Sequence, residues 1–142
     1  MLRTISALAL ASSLLVPAAM ADEAEAETCL KAKIWDGYSD GWAVRTATSA
    51  TLDQGAYRIY LVTLYAGNEY KILACADGKA KNVDLVLHDA DGNVVVQDDS
   101  SDRQPVLTYT PTTTDTYFVA VHATELEGEG TQAGIGMAVT YR

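Results

Sequence analysis

An alternation of side chains with a period of two, interrupted at short intervals by turn residues, limits this chain to a fold built from strands. In "AYRIYLVTLY", Tyr57, Ile59, Leu61, Thr63 and Tyr65 fall on one face of an extended segment, while Tyr60, Val62 and Leu64 fall on the other. "NEYKILACA" follows a Gly67-Asn68 turn and sets Tyr70, Ile72, Ala74 and Ala76 opposite Leu73 and Cys75. "NVDLVLHD" and "NVVVQD" flank Asp91-Gly92, the strongest short hairpin signal in the chain. "VLTYTP", "TYFVAVHA" and "GIGMAVTY" then follow between polar turns. With "WAVRTATSATL" as the opening strand, the pattern predicts an all-β fold, an antiparallel sandwich or jelly roll of about eight strands. Only the first residues carry a convincing helical pattern, and the Gly- and acid-rich "ELEGEGTQAGIG" is expected to be mobile at its tip.

Those first residues are a targeting segment. Arg3 supplies a positive start, Ile5 to Val16 an apolar run, and Ala19 and Ala21 the small residues of an Ala-x-Ala cleavage site. Residues 1–21 are therefore expected to be a signal peptide, whose removal leaves about 120 residues, enough for one core. The apolar run is short for a membrane span, no later stretch comes near one, and a lipoprotein Cys at the cleavage point is missing, because Cys29 follows the acidic "DEAEAET". Residues 22–34 read as an acidic leader, "DEAEAE", expected to be disordered by its charge, followed by a disulfide-tethered segment, and residues 35–142 as the sandwich domain. An exported chain with two cysteines, Cys29 and Cys75, is expected to join them. Closing that loop stabilises the fold by about 4 kcal/mol in the chain-entropy model. The formal net charge of −9 argues against nucleic acid, which demands a basic face.

Four groups of residues are candidates for a site. "GYSDG", Gly37 to Gly41, matches Gly-x-Ser-x-Gly and would make Ser39 a nucleophile. A nucleophile elbow, however, sits between a strand and a helix, and here the segment reads as two turns bracketed by tryptophans. His88 and His122 lie on strand patterns and form half of a metal site only if their strands place them together. Trp35, Tyr38 and Trp42 are either an aromatic platform for sugar rings, with carboxylates nearby, or a plug for the end of the core. Asp84, Asp89, Asp91, Asn93, Asp98 and Asp99 surround the Asp91-Gly92 hairpin and are either a calcium site or a solvated turn. The EF-hand pattern fails there, because no Glu stands at the twelfth position and Val94 to Val96 continue as a strand.

From Leu52 to Tyr141 the chain resembles the bacterial pre-peptidase C-terminal domain family. The likeness is carried by "LYAGNEYKI", by the Asp-Leu-x-Leu hairpin "NVDLVLHDADGNVVVQDD" and by the closing "YTPTTTDTYFVAV". Asp115 stands where the family usually has a Gly before its Tyr, here Tyr117, no peptidase precedes the domain, and the segment holding Cys29 looks like an addition. The resemblance implies a noncatalytic β-sandwich, calcium-binding or substrate-binding in some relatives. The expectation is a periplasmic or secreted binding domain that requires no cofactor other than, at most, calcium. Its partner would be a protein or an extracellular polymer. A structural or calcium-responsive envelope protein is the alternative, and a serine hydrolase using Ser39 a remote one.

Overall fold

A computed structural model describes residues 21–128 and 131–142. The signal-peptide reading rests on residues 1–20, which lie outside them, as do two residues at the tip of the Gly-rich loop.

All eight expected strands form. They are β1 (Ala43–Asp53), β2 (Tyr57–Leu64), β3 (Tyr70–Ala76), β4 (Ala80–His88), β5 (Val94–Asp98), β6 (Val106–Tyr109), β7 (Asp115–Leu126) and β8 (Gln132–Tyr141). They build two four-stranded antiparallel sheets, ordered β1-β8-β3-β6 and β2-β7-β4-β5. Alternation decides what faces inward. Val62 and Leu64 of β2, Val83, Leu85 and Leu87 of β4, and Tyr117, Val119 and Val121 of β7 meet Tyr70, Ile72, Ile135, Met137 and Val139 of the first sheet in one core. Burial of these side chains from both sheets is the main stabilising contribution, since each large apolar residue removed from water is worth about 1.5–3 kcal/mol.

The acidic leader is not disordered, which corrects the sequence expectation. Asp22 caps a helix, α1 (Glu23–Tyr38), by accepting the N–H of Glu25 on its side chain. Glu23 and Glu25 in the first turn suit the positive end of the helix dipole. The helix runs past residue 34 into the segment assigned to the sandwich, and its buried face carries Ala26, Leu30 and Gly37. It lies across the outer side of the first sheet, where Leu30 packs with Leu73, Cys75 and Ala138. Gly136 leaves room for this approach, because a Cβ there would stand 3.2 Å from the Leu30 side chain. The expected disulfide joins Cys29 of α1 to Cys75 of β3 across a Cα separation of 6.0 Å.

No helix among the described residues is long and apolar enough to cross a membrane.

Candidate functional site

The aromatic trio divides. Trp42, at the entry to β1, is 7% exposed and held between two cations, Lys71 Nζ and Arg142 Cζ, each 4.5 Å from its ring centre. Arg142 is fixed in turn by Glu69, at 2.9 Å, and by donating to the Asp40 carbonyl. Trp42 is thus buried against Gly37 at the end of α1 and belongs to neither apolar cluster, so it is neither an exposed platform nor a plug of the sandwich core. Trp35 and Tyr38 lie three residues apart on the solvent side of α1, 77% and 69% exposed, with rings 6.1 Å apart and nearly parallel at 9°. Of the three, Trp35 and Tyr38 have the exposure that a stacking platform requires.

Ser39 does not sit in a nucleophile elbow. It follows a helix rather than a strand, and its hydroxyl donates to the Asp36 carbonyl at 3.2 Å. The two histidines are in the other sheet, β4 and β7, while α1 packs on the first. Nor do the histidines pair. His88 stands opposite Phe118, so His122 is four residues further along β7, about 13 Å at the strand rise. Each ring bonds to a loop carbonyl instead, His88 Nδ1 to Gly92 at 3.2 Å and His122 Nε2 to Gly55 at 3.1 Å.

The hairpin carboxylates are spread over three places. Asp84 is on the outer face of β4, opposite His122. Asp89 is five residues on, about 17 Å away along the strand, too far for the two to share one ion. Asp89 Oδ1 accepts the N–H groups of Asp91 and Asn93, Oδ2 accepts the Asn93 amide, and Gly92 completes the turn with φ +85°. Asp98 stands opposite inward-facing Leu85, hence on the other side of the sheet from Asp84, and accepts from the Ser100 and Val106 N–H groups and the Ser100 hydroxyl. The Asn93 N–H is the chief cause holding the Asp89 carboxyl below its ordinary pKa. Burial opposes the charge of Asp98, but its Ser100 and Val106 bonds outweigh that and lower its pKa too. Among the described residues no three His, Cys, Asp or Glu side chains come close enough to hold one metal ion.

A surface that motif reading passed over is the outer face of the second sheet. Tyr57, Ile59 and Leu61 follow one another along its edge strand β2, 64%, 53% and 69% exposed. The register sets Tyr57 beside His122 and Asp84, Ile59 beside Ala120 and Val86, and Leu61 beside Phe118 and His88. Tyr57 meets the His122 ring edge-on at 6.4 Å, and a shallow hollow of about 320 Å³ is lined by Ile59, His88, Gly92 and Phe118. The signal was present in the sequence, in the run Tyr57, Ile59 and Leu61 on the face of β2 opposite core residues Val62 and Leu64.

Two solved structures resemble this fold. The pre-peptidase C-terminal domain of a collagenase from Bacillus anthracis superposes with a TM-score of 0.52 at 12% identity, over 68% of this chain and 89% of that one. The fold is pre-peptidase C-terminal-like. PliG from Aeromonas hydrophila, a periplasmic inhibitor of g-type lysozyme, matches with a TM-score of 0.51 at 13% identity, over 70% of this chain and 88% of its own. No family model matches the sequence, and no curated relative does.

Proposed function

We propose that the chain is an exported, noncatalytic binding domain that takes a protein partner on the outer face of β2-β7-β4-β5. The observation that carries this reading is the exposed row Tyr57, Ile59, Leu61, continued inward by Phe118, on a regular strand that no described element covers. Apolar patches left open on a soluble domain mark interaction sites. A protein suits this one, because β2 is an edge strand and offers a partner unpaired main-chain groups beside apolar side chains. Asp84 on this face, with Asp89 and Asp91 in the turn at its end, gives it an acidic border, so the favoured partner carries basic residues around an apolar projection. That one structural counterpart is a lysozyme inhibitor supports a protein partner. The disulfide fits an oxidising compartment.

The test is a calorimetric titration of the mature domain with g-type lysozyme as first probe, and with other basic exported proteins. Saturable binding that Ile59→Asp or Leu61→Asp abolishes without unfolding the domain is the expected result. Binding that survives both substitutions would refute the sheet-face assignment. The exposed Trp35–Tyr38 pair favours a second reading, a polymer-binding platform. It predicts affinity for a soluble glycan that Trp35→Ala removes and Leu61→Asp leaves intact.

A further inference from the structure

Asp77 is fully buried, yet no cationic side chain among the described residues pairs with it. Its carboxylate accepts three main-chain N–H groups: Lys79 at 3.0 Å on Oδ1, Gly134 at 2.9 Å and Asp22 at 2.8 Å on Oδ2. Of these, the third is singular in sequence, because Asp22 directly follows the Ala19-x-Ala21 cleavage pattern.

We infer that Asp77 is the receptor for the α-ammonium group of the processed chain. Hydrolysis of the Ala21–Asp22 peptide bond by the leader-removing endopeptidase consumes one water, leaves a carboxylate on Ala21 and frees an ammonium group on Asp22. The nitrogen already 2.8 Å from Asp77 Oδ2 thereby changes from a neutral amide donor to a charged one. Charge-assisted bonds are roughly twice as strong as neutral ones, and a buried carboxylate gains most from an opposite charge.

The surroundings hold Asp22 in register for this. Its side chain caps α1 at Glu25, its carbonyl accepts the Ala26 N–H at 3.2 Å, and its main chain lies flat against Gly134. A Cβ on Gly134 would stand 2.6 Å from the Asp22 carbonyl, so only glycine admits the chain there. An ammonium group at the start of a helix is disfavoured by the helix dipole. The carboxylates of Asp22 at the N-cap and of Glu23 and Glu25 in the first turn, with Asp77 beneath, offset that. Processing therefore completes the fold as well as releasing the chain, and the inference is independent of where a partner binds.

The experiment compares chains beginning at Asp22 and at Ala19, each with Asp77 and with Asp77→Asn, by thermal unfolding. The chain beginning at Asp22 is expected to melt roughly 5 °C higher than the one beginning at Ala19. That difference is expected to vanish in the Asp77→Asn background. Should Asp77→Asn fail to fold, Nα-acetylation of the Asp22 chain removes the charge without lengthening it, and is expected to lower its melting point to that of the Ala19 chain. Equal melting points for the Asp22 and Ala19 chains would overturn the inference. So would a mass spectrum of the exported protein showing a first residue other than Asp22.

Discussion

The two sheets carry apolar side chains on their outer faces, and the molecule treats those faces differently. On the first, Leu73, Cys75 and Ala138 disappear beneath Leu30 of α1, which is itself 3% exposed, and a disulfide locks the cover in place. On the second, Tyr57, Ile59 and Leu61 meet water. The sandwich core alone would leave both faces open, so the helix is the device that assigns one face to stability and leaves the other exposed, where a partner is proposed to bind. Uncovering the first face should therefore cost much, and altering the second little.

The largest effect is expected from the cover's anchor. Replacing Cys29 and Cys75 together by Ala should cost about 4 kcal/mol in urea unfolding and speed hydrogen exchange in α1 more than in β2 or β7. Uniform acceleration would mean that the helix is an integral part of the core rather than a cover. Next in size is a matched pair of truncations. Leu30→Ala should cost about 2–3 kcal/mol, because it empties a packed site under the helix. Leu61→Ala should stay within about 0.5 kcal/mol, because its side chain is already solvated. Similar losses at the two positions would erase the distinction between the faces.

Much of this was legible in the residues, for reasons that can be named. A period of two survives translation into structure because each strand packs one face on the core, so Val62 and Leu64 are buried where the alternation puts them. The helix was missed because "DEAEAETCLKAK" reads as a charge run, and its apolar contact is narrow, Ala26 and Leu30 with little else. Its signature was nonetheless there: Asp22 with Glu25 three residues later, Ala26 and Leu30 four apart, and Gly37 near the end. Trp35 and Trp42 sit in similar Gly- and Asp-rich surroundings, so no local rule separates them. Their fates differ because one is on the outer side of a helix and the other enters a strand under Lys71 and Arg142. The hairpin carboxylates looked like a cluster because they are close in sequence, whereas a strand separates neighbours by about 3.3 Å per residue and sends alternate ones to opposite sides.

A smaller effect should appear on the acid side. Asp98 ends β5 of the open sheet and accepts the N–H of Val106, which begins β6 of the covered one, so it ties the two sheets together. Its pKa, like that of Asp89, is lower in the folded chain than the ordinary 3.8. The unfolded chain therefore takes up protons first. The stability that these two carboxylates add is fully present above pH 3.8 and is lost as the pH falls through their lower folded values. Asp98→Asn should flatten the fall in melting temperature over that acid range, and an unchanged slope would remove Asp98 from the account.

The smallest expected effect concerns calcium, and a null result is informative there. Asp89 and Asp98 already use their oxygens on N–H groups of their own turns, and Asp84 stands apart on the open face. Melting in a calcium series against EDTA, with magnesium as control, is expected to show no calcium-selective rise. An ion held at about 100 times its dissociation constant adds roughly 2.7 kcal/mol when it binds only the folded chain. A rise of that size, removed by Asp89→Asn, would make the hairpin a metal site at the rim of the open face. The contrast between the faces would then acquire a switch, since the ion would neutralise the acidic rim that a basic partner is proposed to meet.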